Sequence, residues 1–219
     1  MLIVGLTGSI GMGKSTAAAT LRRLGLPVHD ADAAVHRLMA RGGAAVEAVA
    51  QAFPGVECDG AIDRKRLAAR VLEDPAALQR LEAILHPLVR RETHRFLAQQ
   101  ARLRRPIAVL DIPLLYETGA ERRCDVVIVV SAPAFIQRAR VLSRPGMTEA
   151  RFRAILARQL PDAEKRRRAD FVVQTGLDKA HALRQLAAIV TLLKSSKRHR
   201  GRAWAPGSAV RGVAARRES

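Results

Sequence analysis

Gly8-Ser9-Ile10-Gly11-Met12-Gly13-Lys14-Ser15 is the stretch of this chain whose residue types and spacing point most directly to chemistry. It matches G-x-x-x-x-G-K-[ST] at every position. Glycines let the backbone turn so that successive N–H groups converge on one anion. A helix that begins near Lys14 would add the positive end of its dipole. The expected roles follow from reach. Gly8, Gly11, Met12 and Gly13 wrap the phosphates of a nucleotide, Lys14 meets the β- and γ-phosphates, and Thr16 lies near the α-phosphate. The Ser15 hydroxyl ligates Mg²⁺. A glycine-rich turn matching by chance is the alternative, but an apolar run precedes the motif and helical spacing follows it.

Three further groups of residues have the right chemistry without an equally specific pattern. Asp30-Ala31-Asp32 closes a second short apolar run, and ligands of open parallel sheets sit at the carboxyl ends of strands. A carboxylate there could take the proton of an attacking hydroxyl, or both could simply be helix N-caps. Arg138, Arg140 and Arg144 share one helix and its end. An arginine closing over a transferring phosphoryl group would stabilise the transition state, and a solvated face of an arginine-rich chain is the competing reading. Asp111 ends a buried strand where a carboxylate could help hold Mg²⁺ through water, or serve as a turn residue.

The elements that must position these groups are legible from periodicity. Leu2–Thr7, Pro27–Asp30, Ile107–Leu110, Val126–Val130 and Phe171–Val173 are short apolar runs read as strands, several continuous enough for central parallel strands. Between them lie helical patterns over Lys14–Leu24, Ala33–Ala40, Pro133–Leu142, Thr148–Leu160 and Asp178–Leu193. Residues 43–101 read as mainly helical, with turns at Pro54-Gly55 and Asp59-Gly60 and a kink or break expected at Pro87. Strands alternating with helices predict an α/β fold with a parallel sheet wrapped by helices. The organisation expected is a nucleotide-binding domain over 1–194, with a helical substrate-binding insert at about 43–101 and a lid at about 133–160. A basic disordered tail is expected over 195–219.

Composition narrows the function classes. The 219 residues are 48% hydrophobic and carry a formal net charge of +18. That charge calls for an anionic partner, but it is discounted because 32 of the basic residues are Arg, only 6 are Lys, and many lie in the tail. The chain contains no Asn, so the N-K-x-D base-reading motif of GTPases cannot exist in its usual form. No apolar run reaches the roughly 18 residues needed to cross a bilayer. The first residues lack a secretory pattern, and Cys58 and Cys124 read as free thiols, so a cytoplasmic location is expected. At 3% aromatic the chain lacks stacking residues for single-stranded nucleic acid. A small-molecule kinase using ATP and Mg²⁺ is what these exclusions leave. A nucleic-acid-binding ATPase is the rival from another class.

Taken together the motifs resemble the dephospho-CoA kinase family. The resemblance rests on Gly5-Leu6-Thr7-Gly8, Ile10-Gly11, Gly13-Lys14-Ser15-Thr16, Leu24-Gly25 and Val28, then Asp30-Ala31-Asp32 and Asp63-Arg64 with Leu67. It continues through Leu81-Glu82, Ile84, His86-Pro87, Val89-Arg90, Pro113-Leu114-Leu115-Tyr116-Glu117, Gln137 to Arg144, Arg158-Gln159 and Ala169-Asp170. It covers about residues 1–190. It implies phosphorylation of the 3′-hydroxyl of the ribose of dephospho-CoA by ATP, on a P-loop core with a helical CoA domain and a mobile lid. It implies Asp32 as general base, Lys14, Arg140 and Arg144 around the transferring group, and His86, Arg90 and Leu115 on the acceptor side. Without the resemblance His86 reads as a helix-packing histidine. Thr175-Gly176 stands where the family often has an Asn-x-Gly near the adenine. Another small-molecule kinase, for a nucleoside monophosphate or shikimate, is the nearest rival. Neither a membrane nor a specific nucleic-acid partner is expected.

Overall fold

A computed structural model describes residues 1–71 and 74–196. In chain order the elements are β1 (Leu2–Thr7), α1 (Lys14–Arg23), β2 (Val28–Asp30), α2 (Ala31–Met39), α3 (Val46–Ala52), β3 (Glu57–Cys58), β4 (Ala61–Ile62), α4 (Arg64–Val71) and α5 (Pro75–Arg102). They continue as β5 (Ile107–Asp111), a short 3₁₀ turn at Ala120–Arg123, β6 (Val126–Ser131), α6 (Ala134–Leu142), α7 (Glu149–Ala157), α8 (Asp162–Arg168), β7 (Phe171–Gln174) and α9 (Lys179–Ser196). The expected tail lies, from residue 197 onward, outside the described residues. The chain divides into two units, Met1–Val28 with the chain from Arg104 onward, and His29–Leu103.

The first unit is built on a sheet of strand order β2-β5-β1-β6-β7, in which β2 is the edge strand where the chain leaves this unit. The pairs of β1 with β5 and β6, and of β6 with β7, are parallel. Every residue of β5 and β6 is buried, which is why their sequences, IAVLD and VVIVVS, are continuous rather than alternating. Register decides the chemistry. Leu6 lies opposite Asp111, Thr7 opposite Val129, and Ser131 opposite Gln174. The carboxyl ends of β1, β5, β6 and β7 therefore emerge at one edge, and each is followed by a loop bearing polar residues. Leu21 of α1 and Leu186 of α9, both at 0% exposure, seal the core around these strands.

The second unit packs α2, α3, α4 and α5 around Leu38, Val49, Phe53, Leu67, Leu81 and Leu85. It contains a hairpin that periodicity did not reveal: β3 and β4 pair antiparallel, Glu57 with Ile62 and Cys58 with Ala61. The turn between them is Asp59-Gly60, with φ of 52° and 75°, the two positive values a two-residue hairpin turn demands. Two-residue strands are too short for an alternating pattern to register. The helix containing Pro87 also differs from expectation, since α5 runs unbroken from Pro75 to Arg102. Pro87 and Ala83, whose carbonyl loses its usual donor, both lie on the exposed side, where water can stand in for the missing bond. Leu81 and Leu85 before the proline and Thr93 after it are buried and hold the helix to its neighbours.

In the first unit, α8 was also unanticipated. Its sequence DAEKRRR has no apolar residue but alanine, and Lys165 is its buried member. Asp162 and Glu164 in its first turn and Lys165–Arg168 in its last complement the helix dipole instead. Cys58 and Cys124 are both free, and burial pushes the Cys124 thiol up to about 11, which makes it unreactive at neutral pH. Among the described residues no helix is long and apolar enough to cross a membrane.

His29 opens the second unit and is buried at 6% exposure, its ring 5.2 Å from that of Phe96. Thr93 Oγ1 donates its proton to the Val89 carbonyl at 2.9 Å, so it accepts from His29 Nε2–H at 3.1 Å. Burial first, then the charge of Arg37, lowers the His29 pKa below its ordinary 6.5, against weaker opposing effects of Glu92 and Asp30. The unfolded chain thus binds a proton that the folded one refuses, and stability falls as pH drops through and below about 6.5. Thermal denaturation between pH 8 and pH 5 should show a decline in Tm that is smaller in His29→Gln; an equal decline in both proteins would assign the loss elsewhere.

Candidate active site

The loop between β1 and α1 takes its shape from two glycines with left-handed backbone. Gly11 has φ 78° and Gly13 has φ 86°. A Cβ on Gly11 would also lie 2.6 Å from Val141 Cγ2 and 3.0 Å from the Gln137 carbonyl oxygen, so both conformation and space require glycine. Gly13 is the N-cap of α1 and offers no side chain to its first turn. The first N–H groups of α1 thus have no capping side chain, as anion binding at a helix N-terminus requires. Ser15 and Thr16 are exposed in that turn. Lys14 Nζ donates to Asp111 Oδ1 at 2.7 Å, with the two side chains 16% and 3% exposed. This bond engages one of the three ammonium protons.

Residues from three other parts of the chain hold the loop from outside. The Gln137 side-chain amide donates to the Ile10 carbonyl at 2.8 Å, while Gln159 Oε1 accepts from the Ile10 N–H at 3.1 Å. One peptide residue of the loop is thus gripped at both polar groups by α6 and by the segment after α7. Thr175 Oγ1 donates to the Met12 carbonyl at 2.7 Å, and the Ala132 N–H meets Met12 Sδ at 3.0 Å. Met12 is therefore a buried structural pin as well as a loop residue. Gln159 is itself steadied. Next to it, Leu160 N–H donates to Glu117 Oε1 at 2.8 Å, and Glu117 forms an ion pair at 2.8 Å with Lys165, which is fully buried. Burial works to raise the Glu117 pKa, but the Lys165 ammonium and the backbone donors prevail and hold it below the usual carboxylate range. A polar side chain at a buried helix position, as at Gln137 and Lys165, is the sequence signal that could have drawn attention to this bracing.

The three arginines separate in the structure. Arg138 is paired with Glu149 at 3.0 Å on the exposed side of α6 and α7. Arg140 points to the end of β7, where Nη2 donates to the Thr175 carbonyl at 2.7 Å and Nη1 to Thr175 Oγ1 at 3.4 Å. Arg144 is exposed in the turn that follows α6. Leu115 requires a correction. At 0% exposure it is packed with Tyr116, Ala120, Val127 and Val129, because the loop after β5 folds back on β6, so its side chain belongs to the core and not to an acceptor surface.

In the second unit the two aspartates differ in their surroundings. Asp30 is the N-cap of α2, its Oδ1 accepting from Ala33 N–H at 2.9 Å. Asp32 lies in the first turn, exposed, and does no capping. His86 and Arg90 lie four residues apart on one side of α5, and both are exposed. The expectation of a packing histidine is not met.

The sequence model of the dephospho-CoA kinase family matches residues 2–179. The chain belongs to that family. A dephospho-CoA kinase of Paramagnetospirillum magneticum is 64% identical over 197 residues, covering 90% of this chain and 93% of the relative. One of Rhodospirillum rubrum is 59% identical over 198 residues, covering 90% and 94%. A crystal structure from Thermus thermophilus is 38% identical with a TM-score of 0.76, covering 87% of this chain and 96% of that one. The dephospho-CoA kinase of Campylobacter jejuni, at 24% identity and a TM-score of 0.67, shares the fold over 89% of this chain and 98% of its own.

The donor set bears on the cation that a kinase of this family would use. Among the described residues no group of three or more His, Cys, Asp or Glu gathers as a metal site. The exposed Ser15 hydroxyl and the carboxylate of Asp111 are hard oxygen donors, suited to a Mg²⁺ that keeps most of its ligands from water and phosphate. The geometry of Gly11 carries a prediction. Gly11→Ala should weaken ATP binding by about tenfold or more, because the left-handed backbone and the contact with Val141 cost about 1–3 kcal/mol between them. Calorimetry with Mg·ATP measures this, and an unchanged Kd would show the loop to be free to reshape.

Proposed function

We propose that this dephospho-CoA kinase phosphorylates the 3′-hydroxyl of the ribose of dephospho-CoA, with ATP as donor, yielding coenzyme A and ADP. The observation that carries the reading is the family match across residues 2–179, and the left-handed glycine loop that ends at the Lys14–Asp111 pair supports it. The alternative small-molecule kinases and the nucleic-acid-dependent ATPase have no comparable support.

Phosphoryl transfer asks little covalent chemistry of the protein and much positioning and charge balance. The amides of Gly11–Thr16 cradle the β- and γ-phosphates, and Lys14 shares its charge between them and Asp111. Ser15, and Asp111 through water, would hold Mg²⁺, which when bound would supply positive charge to the β- and γ-phosphates. Arg140 and Arg144 offset the charge that builds on the equatorial oxygens of the transferring group. Asp32 orients the ribose hydroxyl and takes its proton, a role its exposure and freedom from capping leave open to it. His86 and Arg90 present an imidazole and a guanidinium to the acceptor. The free cysteines fit a reducing compartment, and a cytoplasmic location completes the proposal.

Lys14→Ala should abolish turnover, and wild-type rates without that ammonium would contradict the loop assignment. Asp32→Asn should lower kcat by about 10²-fold or more with ATP affinity intact, the usual scale for acid–base groups. Near-normal turnover would remove Asp32 from the mechanism. Incubation of purified protein with Mg·ATP and dephospho-CoA, followed by phosphorus NMR of the product, tests the reaction itself. Parallel incubations with AMP and with shikimate complete the test, and phosphorylation of either one but not of dephospho-CoA would overturn the substrate assignment.

A further inference from the structure

We propose that Thr175 is a positioning residue for phosphoryl transfer, whose single hydroxyl ties the Arg140 guanidinium to the backbone of the phosphate-binding loop. The inference deepens the functional reading above and rests on its assignment of Arg140 to the transferring group. It concerns a residue whose sequence neighbourhood marks only a departure from the family's usual Asn-x-Gly.

The backbone at Thr175 is fixed first. Its N–H donates to the Ser131 carbonyl at 2.8 Å, extending the pairing of β6 and β7 one step beyond Ser131 and Gln174. This places the hydroxyl against the loop, so close that a Cβ on Gly13 would lie 3.3 Å from Thr175 Oγ1. A threonine hydroxyl has one proton to give. Two carbonyls are within reach, Met12 at 2.7 Å and Ser131 at 3.2 Å. The shorter contact takes the proton, and the lone pairs remain for Arg140 Nη1 at 3.4 Å. Arg140 Nη2 meanwhile holds the Thr175 carbonyl at 2.7 Å, so the guanidinium grips the residue at both its backbone and its side chain.

The consequence is mechanical. Met12 lies two residues before Lys14, and its carbonyl direction shares a peptide plane with the N–H of Gly13. The hydroxyl thus orients a peptide unit of the anion cradle and, through its other face, the cation on α6. An arginine tethered in this way loses less rotamer freedom when it engages a phosphoryl group than one that searches from solvent. The tether is also specific to oxygen. Valine would fill the same volume and keep the Thr175 carbonyl for Nη2. It would leave the Met12 carbonyl without its donor and Nη1 without its acceptor.

The test compares the wild type with Thr175→Val, Thr175→Ser, Arg140→Met and the Thr175→Val/Arg140→Met double variant, each checked for an intact Tm. Thr175→Val should lower kcat by about tenfold, the scale of a lost hydrogen bond to a charged group, with KM for dephospho-CoA unchanged. Thr175→Ser should restore turnover to within about twofold, and in the Arg140→Met background Thr175→Val should cost clearly less than in the wild type, because only the contact with Met12 is then left to lose. The proposal is overturned if Thr175→Val is equally costly in both backgrounds, if serine is as poor as valine, or if Arg140→Met turns over normally. A wild type inactive on dephospho-CoA would refute the substrate reading alone. In that event Mg·ATP affinities of the same proteins by calorimetry still decide the tether: a weakening by Thr175→Val that depends on Arg140 supports it, and equal losses in both backgrounds refute it.

Discussion

A lysine ammonium held 2.7 Å from a buried carboxylate at the mouth of a parallel sheet is the interaction on which the rest of the structure depends. Asp111 ends a strand with no exposed residue, and a charge in such a place must be paired. Lys14 supplies the pairing from the first turn of α1, and only because the loop before it doubles back through two left-handed glycines. The two charges that pair in the fold are thus the same two to which the proposed phosphate chemistry is assigned. The sheet registers Asp111 beside the end of β1, the loop returns Lys14 to it, and the ammonium keeps protons for an anion.

A loop of this kind is useful only if its peptide groups point one way before the nucleotide arrives, since preorganised donors need no reorganisation during the reaction. Here the orientation is imposed from α6, from the segment after α7 and from the end of β7. Gln137 and Gln159 hold Ile10, and Thr175 holds Met12. Behind Gln159 stands the ion pair of Glu117 with the fully buried Lys165. Burying an ammonium on a seven-residue helix is costly by itself. It becomes tolerable because Glu117 faces it and the same carboxylate also accepts from Leu160. The polar interior of this unit is thus concentrated along the supports of the phosphate loop.

In the second unit, the start of α2 distinguishes two residues of the same type. Asp-Ala-Asp has two carboxylates, and a helix start needs one of them. Asp30 satisfies the Ala33 N–H, so Asp32 is not needed as the cap. The exposed His86 and Arg90 are similar, since Leu81 and Leu85 carry the packing of that part of α5.

Much of this was legible in the sequence, and for a physical reason. Buried parallel strands require continuous apolar runs, amphipathic helices require a period near 3.6, and a phosphate loop requires glycine where φ is positive. Each of these constraints acts on neighbouring residues, so β1, β5, β6, α1 and the Gly8–Ser15 loop could be read directly. The elements that escaped have no such local signature. The β3–β4 hairpin has strands too short to alternate, α8 stands on charge rather than apolar burial, and α5 passes through Pro87 because packing on both sides compensates. The side-chain roles divide in the same way. Residue type and spacing marked Lys14, left Asp111 open between a Mg²⁺ ligand and a turn residue, and left Asp30 and Asp32 equal. Only tertiary structure buried Leu115, separated Arg138 from Arg140, and brought Thr175 to Met12 across 163 positions of sequence. A hydrogen bond between residues so far apart depends on strand order and register, which no stretch of chain encodes by itself.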